Sequence, residues 1–525
     1  MKINRTQNAF RNILFGGVLK AYQILVPFIM RTVMLYILGV QYLGLNSLFV
    51  SILQVLNLAE LGIGTAITYS MYKPIAEDDT ERICALLNLY KTYYRIIGSI
   101  IGGIGIVLLP VIPKVITGDI PDGLNIYILY LLNLASTVAS YWLFAYKGSL
   151  LSAHQRNDIT SKITLVTNSL QYIFQIIVLV FLKNYYGFLV VAVLSQLGTN
   201  IITSFIVDKK YPQYRPIGKL DKEEVKEINH RVRDLFTSKV GTIIVNSADS
   251  IVISSFLGLT MLALYQNYFY IMSSIIGFVS IIFAACTAGI GNSILVETKE
   301  KNYNDLCQFT FIICWIAGFC VCCLLCLYQP FMEIWVGKEL LLHFRMVICF
   351  CIYYFIYEIN QLLNVYKDAA GIWHEDRFRP LITALANLGM NLIMVQFWGL
   401  YGILLSTVLS TLIIGMPWLL HNLFTLLFSK EYLSKYLKQL LIYITTVFIA
   451  CSITYWLCGF IKVSGWSLII FRGILCCIVP NAIFLCVYHK IPAFEKSLMI
   501  LNRVTKGRIR IIGIFIKSIS NDLTS

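Results

Sequence analysis

The sequence predicts an all-α integral membrane protein of about fourteen transmembrane helices, arranged as two parallel six-helix repeats followed by two additional C-terminal helices. Three observations predict it. Hydrophobic residues make up 58% of the 525 and charged residues 13%, against about 25% charged in a soluble domain; the mean hydropathy is +0.74. Apolar runs of about 20 residues, the length that crosses a bilayer core near 30 Å, recur along the chain. Short sequence pairs also return at a nearly constant offset. No hydrophilic stretch is long enough for a soluble core of ordinary size.

The apolar runs cover residues 12–38, 45–70, 90–116, 124–146, 163–182, 188–207, 240–257, 263–296, 309–328, 344–366, 381–397, 401–428, 440–461 and 468–488. The short basic head reads as a flank of the first span, because the run after it is too long for a signal peptide and lacks a small-residue cleavage site. With both termini cytoplasmic, five of the 42 Lys and Arg fall in outer connections: Lys114, Lys183, Lys338, Arg345 and Lys462. Three lie in span interiors (Lys20, Arg31 and Arg472), residues at the ends of a run being counted with the adjoining connection, and the other 34 are assigned to the cytoplasmic side. That is the asymmetry expected of a multi-pass membrane protein. A span added or dropped would scramble it.

The expected organisation is a first bundle over 1–208, a cytoplasmic connection over 209–239, a second bundle over 240–428, two more helices over 429–490, and a basic tail over 491–525. In the connection, Pro212 and Pro216 keep the chain non-helical. Asp221, with Glu224 three residues on, then supplies a helix start. Val225, Ile228, Val232 and Leu235 follow at helical spacing. They predict an amphipathic helix on the inner membrane surface. The mixed basic and apolar tail from Arg503 predicts a second anchor to anionic lipid. Asp119 and Asp122 read as a polar turn.

The two halves repeat. Leu38-Gly39 and Leu43-Gly44 return as Leu257-Gly258 and Leu262-Ala263, an offset of 219. Tyr146-Lys147, followed by His154, returns as Tyr366-Lys367, followed by His374. Tyr186-Gly187 and Leu194-Ser195 return as Tyr401-Gly402 and Leu409-Ser410, an offset of 215. Six spans per copy give both copies the same orientation, the parallel duplication of several transporter folds. Substrate is then expected between the halves, with alternating access as one rocks against the other.

Ionisable groups inside spans mark function by default. Lys20 and Arg31 lie within roughly 20° of each other on a helix of 3.6 residues per turn, with Gln23 on the same stripe, so the first span carries a cationic face suited to an anionic substrate. Glu60 lies in the second span and Asp249 in the seventh, both candidates for gating or ion coupling. The repeat sets Asp249 opposite Met30, beside Arg31, so Asp249 and Arg31 are expected to pair across a closed cavity. Glu358, Gln361 and Asn364 share one face of the tenth span and are candidate sugar contacts. Arg472, in the last span, reads as structural.

Nothing points to catalysis. There is no phosphate-binding loop of the GxxxxGK[ST] type, no HExxH, and no nucleophile paired with a base. The fifteen Cys lie almost all in apolar runs, and the formal CxxC of Cys323 and Cys326 has no neighbouring His or carboxylate. They read as small, polarizable apolar side chains. No metal or cofactor is expected, and no nucleic-acid partner.

The stretch FIMRTVMLYILGVQYLGLNSLFVSILQVLNLAELGIGTAI resembles the first hairpin of the polysaccharide-biosynthesis exporters, the Wzx-type O-antigen and capsule flippases. Arg31, Gly39, Tyr42-Leu43-Gly44, Glu60-Leu61-Gly62 and Gly64 carry the resemblance. It implies the multidrug/oligosaccharidyl-lipid/polysaccharide exporter superfamily, with a MATE-like fold in the bacterial cytoplasmic (inner) membrane. It further implies translocation of an undecaprenyl-pyrophosphate-linked oligosaccharide for capsule, O-antigen or a similar polymer, coupled to H+ or Na+. Membrane lipids, a polysaccharide polymerase and glycosyltransferases are the expected partners. A diphosphate head calls for cations, and arginine binds phosphate in bidentate fashion. Two alternatives stay open: a MATE-like multidrug cation exporter, which the cationic first span argues against, and a non-transporting scaffold of a polysaccharide synthase complex.

Overall fold

The computed structural model describes residues 5–118, 120–121, 123–489, 491 and 493–497. The turn at Asp119 and Asp122 and the tail from Arg503 lie outside them. The helices are α1 Arg5–Ile37, α2 Val40–Leu56, α3 Ile63–Ala76, α4 Thr80–Leu108, α5 Ile126–Trp142, α6 Gly148–Ala153, α7 Asn157–Ile177 and α8 Tyr185–Lys210. They continue as α9 Lys222–Val296, α10 Lys299–Val336, α11 Phe344–Ala369, α12 Arg379–Ser410, α13 Met416–Asn422, α14 Glu431–Cys458 and α15 Trp466–Tyr488. No strand occurs among the described residues.

Among the described residues, eleven helical runs are long and apolar enough to cross a membrane, twelve with the bent pair Ile126–Trp142 and Ala145–Ala153. Two of these runs are interrupted by a non-helical glycine, Gly258 in α9 and Gly399 in α12. Divided there, they yield the fourteen membrane segments that the sequence predicts. Asn184 separates the fifth from the sixth, its side chain accepting the Gly187 N–H at 3.1 Å. Asp79, Asn125 and Thr298 cap other helix starts in the same way, each contribution about 1 kcal/mol.

Two elements depart from the expected pattern. The second span is not one helix. After α2 the chain makes a 3-10 turn over Asn57–Glu60, and Gly62 turns left-handed at φ 87° before α3 begins. The glycine permits what another residue would resist, and here a Cβ would also sit 2.7 Å from Leu235 Cβ.

The connecting helix does not lie apart on the membrane surface either. It runs unbroken from Lys222 to the kink at Gly258, because no proline or left-handed residue intervenes. Its apolar stripe meets protein: Ile228 is buried, and Val232 and Leu235 abut Gly62. Arg82 Nε donates to Glu224 Oε1 at 2.9 Å, and Tyr93 Oη donates to Asn229 Oδ1 at 2.7 Å. An apolar face that finds protein partners has no need of lipid.

The chain forms two compact units, Met1–Gln266 with Pro380–Gly399, and Asn267–Arg379 with Leu400–Ser525. Residues 240–266 and 380–399, expected in the second bundle, thus belong with the first. In the first unit α1 packs on α7, α4 on α5, and α5 and α7 on α8. Gly44 of α2 approaches the chain so closely that a Cβ would lie 2.1 Å from the Leu259 carbonyl oxygen. The loop after α4 is tied to α9, Thr117 N donating to Ser254 O at 3.1 Å.

In the second unit α10 packs against α11, α14 and α15. Trp315 Nε1 donates to Asn481 Oδ1 at 2.8 Å, and Gly318 lets Val447 and Phe484 close in on α10. Most exposed side chains of α14 and α15 are large and apolar, among them Leu441, Phe448, Trp456, Phe471 and Ile478. That is the surface a membrane helix turns to lipid.

Candidate functional site: carboxylates and cations at membrane depth

Asp249 lies in the arm of α9 that precedes Gly258 and is 5% exposed. Asn391 Nδ2, from α12, donates to its Oδ1 at 2.6 Å, and Tyr265 Oη donates to Oδ2 at 3.4 Å. Asn391 Nδ2 also lies 3.4 Å from Asn387 Oδ1, and both asparagines are fully buried. The next residue, Ser250, accepts through Oγ from Gln266 Nε2 at 2.8 Å, and Ser247, two residues before, lies 3.4 Å from Gln54. A carboxylate removed from water persists only when paired or hydrogen-bonded. This one accepts from an amide N–H and a phenol O–H.

Glu60 occupies the break between α2 and α3. Its two carboxylate oxygens take separate phenols, Tyr94 Oη donating to Oε1 at 2.5 Å and Tyr141 Oη to Oε2 at 2.6 Å. Tyr90 Oη in turn donates to Tyr94 Oη at 2.7 Å, and Tyr141 Oη also reaches Asn57 Oδ1 at 3.2 Å. Two helices, α4 and α5, therefore converge on one carboxylate. Hydrogen bonds to an ionised acceptor are about twice as strong as neutral ones. The local unwinding supplies the space: a Cβ on Gly64 would sit 2.7 Å from Tyr90 Oη.

The cationic stripe of α1 divides. Arg31 is half-buried, next to the buried Met30, and engages neighbouring groups. Lys20 and Gln23 are exposed on the first unit. Lys162, from α7, places its Nζ 4.1 Å from the Phe15 ring centroid and adds positive charge beside the same helix.

In the second unit, Glu358 on α11 is 1% exposed, and neither carboxylate oxygen has a hydrogen-bond partner among the described residues. Gln361 Nε2 donates to Tyr357 Oη at 3.2 Å. Asn364 accepts from Arg379 Nη2 at 2.8 Å and donates to Asn360 O at 2.8 Å. The three polar residues of this face thus have different environments. Asn364 belongs to a buried network in which Arg379 forks onto Asp376, with Nε–Oδ1 2.7 Å and Nη2–Oδ2 2.8 Å, and Asn422 joins at 3.1 Å.

Sequence reasoning singled out both carboxylates of the first unit and missed the groups that hold them. Tyr90 and Tyr94 carried a signal in their i, i+4 spacing, as did Asn387 and Asn391, two amides one turn apart in an apolar span. Nothing in the sequence pointed to Tyr141.

These helices define a multi-pass membrane fold. The chain is similar to a lipid II flippase MurJ in an inward closed conformation, with TM-score 0.66 and 16% identity over 91% of this chain and 99% of that one. It is also similar to an inward-facing multidrug resistance MATE family transporter of the MOP superfamily, with TM-score 0.58 and 15% identity over 79% and 96%. A MOP superfamily transporter from Pyrococcus furiosus aligns with TM-score 0.51 and 13% identity over 81% and 96%. The sequence profile of the polysaccharide biosynthesis protein family matches residues 9–287, and the chain belongs to that family. No curated protein matches the sequence.

Proposed function

We propose that the protein is a flippase that carries an undecaprenyl-pyrophosphate-linked oligosaccharide across the bacterial cytoplasmic membrane for surface polysaccharide synthesis, with both termini cytoplasmic. The observation that carries the reading is Arg31: a guanidinium held half-buried in the first membrane helix, inside the stretch matched by the polysaccharide biosynthesis family. A charge at that depth is costly unless it serves a pathway, and a planar guanidinium suits a diphosphate. Lys20 and Gln23 extend the stripe from which the head group is received. Asp249 and Glu60 are the candidate coupling groups, taking up H+ or Na+ as alternating access proceeds. Glu358, Gln361 and Asn364 are assigned to the sugar. Arg31 and Asp249 pair when the pathway is empty. The reading invokes no catalytic step, and a polymerase and glycosyltransferases would act before and after the flip.

The test is complementation of a strain lacking its own exporter for a defined polymer. Wild-type protein restores surface polysaccharide, and Arg31→Ala at equal membrane abundance leaves lipid-linked repeat units in the inner leaflet. Normal export by that variant overturns the reading. Altered tolerance of lipophilic cations without any change in polysaccharide supports the drug-exporter alternative instead.

A further inference from the structure

The second unit contains a group of thiols that the transport reading does not use. Cys326 of α10, Cys458 at the end of α14 and Cys476 of α15 are each 0–1% exposed, and their sulfur atoms all lie within 4.8 Å of one another. They come from three helices and from positions 132 and 18 residues apart, so no local repeat brings them together. Cys323, one turn before Cys326, packs against the same cluster, as do Leu327 and Leu475. Cys322 and Cys451 form a separate pair nearby, at 3.3 Å.

Buried thiols alone are ordinary apolar filling. The neighbouring cation is what filling does not explain. Arg472, four residues before Cys476, directs Nη1 to the Cys326 carbonyl oxygen at 3.3 Å, while its Nε is buried with no hydrogen-bond partner among the described residues. An unsatisfied guanidinium N–H inside a membrane segment is costly. A negative centre at the thiols would offset the charge of this guanidinium, which already reaches the Cys326 backbone.

We propose that Cys326, Cys458 and Cys476 bind one thiophilic d10 metal cation, Zn(II) or Cu(I), that fastens α14 and α15 to α10. Each thiol that binds gives its proton to solvent, because the thiolate is the ligand. Three thiolates on one ion at a metal–sulfur distance of about 2.3 Å would stand roughly 4 Å apart, so small side-chain rotations close the site. With Zn(II) the centre carries one net negative charge, which the Arg472 guanidinium balances. An all-sulfur donor set selects soft cations over Mg2+, Ca2+ or Mn2+. Cys323 stands ready as a fourth ligand.

The full chain, purified in detergent under reductant, is loaded with Zn(II) or with Cu(I) and passed through a chelator of graded strength, and retained metal is measured by elemental analysis. About one equivalent is expected to stay bound. The Cys326→Ser/Cys458→Ser/Cys476→Ser variant should lose it, and Cys322→Ser/Cys451→Ser should keep it. The ion that survives the stronger chelator identifies the metal. X-ray absorption on loaded wild-type protein should show sulfur as the only donor, a readout that stands even if the triple variant fails to fold. No retained metal in folded wild-type protein, an equivalent kept by the triple variant, or oxygen or nitrogen in the coordination shell overturns the proposal.

Discussion

Asp249 and Asn391, 142 residues apart in the chain, share a buried 2.6 Å hydrogen bond. The bond joins the seventh and eleventh membrane segments inside one compact unit. Removing the amide leaves a buried carboxylate oxygen short of a donor, at a cost of about 1–3 kcal/mol. Asn391→Ala should therefore lower thermal stability in detergent, and Asp249→Asn, which needs no charge satisfied, should lower it less. If Asp249 couples transport to an ion, Asp249→Asn keeps the fold and loses export. Thermal unfolding and surface polysaccharide measured on the same pair of variants separate the two effects.

Arg31 offers a second comparison. Arg31→Lys keeps the charge and loses the planar fork, so export should fall by about tenfold or more, for the loss of one charge-assisted bond worth 1.5–3 kcal/mol. Arg31→Ala should abolish it. The Arg31→Asp/Asp249→Arg exchange should recover more export than either single change if the two residues pair. No recovery in the exchange counts against the pair.

At Glu60 the phenols provide the test. Tyr141→Phe removes the one O–H that reaches both the Glu60 carboxylate and Asn57 while keeping the ring in place, and, if Glu60 couples transport to an ion, should weaken it. Glu60→Gln should stop gradient-driven accumulation of lipid-linked substrate in proteoliposomes while downhill exchange continues. Accumulation at the wild-type rate in Glu60→Gln would remove Glu60 from the coupling step.

The glycine contacts make a stability prediction independent of transport. Gly44→Ala places a methyl against the Leu259 backbone, which cannot rotate away, and should reduce folded yield sharply. Gly39→Ala meets nothing within 4 Å. It suffers only the backbone cost of holding φ 109° and ψ 170°, a conformation kept almost entirely to glycine, about 1–3 kcal/mol. Membrane-fraction yield and thermal midpoint should rank Gly44→Ala well below Gly39→Ala.

A pH effect is expected at His154, in the connection after α6. Burial lowers its pKa below the usual 6.5, the ring lying tilted against Tyr211 and Tyr214, with Lys210 adding repulsion to the charged form. Nδ1 meets Leu150 O at 2.9 Å. A lowered folded-state value means that stability is full above about pH 6.5, where the unfolded chain is neutral too, and is lost as pH falls toward the folded value. His154→Phe should flatten the decline in thermal midpoint between neutral and mildly acid pH. An unchanged slope would assign the decline to other groups.

The spans were legible because their signal is composition over about 20 residues, which neighbours cannot overrule. The repeat was legible too, and its backbone counterpart is direct: Gly39 has φ 109° and ψ 170°, Gly258 φ 88° and ψ 172°. Lys147 and Lys367 likewise both form ion pairs, with Asp208 and with Asp368. The break at Asn57–Gly62 was hidden inside a stretch apolar enough to read as one helix; nothing in its hydropathy records a left-handed glycine. Partners such as Tyr141 for Glu60 and Asn391 for Asp249 depend on which helices meet, and that is decided by packing over more than 80 residues of separation. The charged residues announced themselves. The neutral groups that receive them did not.

The helix from Lys222 to Gly258 gives the connection between the repeats a mechanical character. A slack linker would let its ends move independently. A continuous helix, clamped at one end by Arg82 and Glu224 and at the other by Thr117 and Ser254, with Asp249 about two and a half turns before Gly258, ties that carboxylate and the segment around Glu224 to a single element. A binder directed at the short segment around Glu224 would then act as a brake on the distant carboxylate without touching the membrane interior.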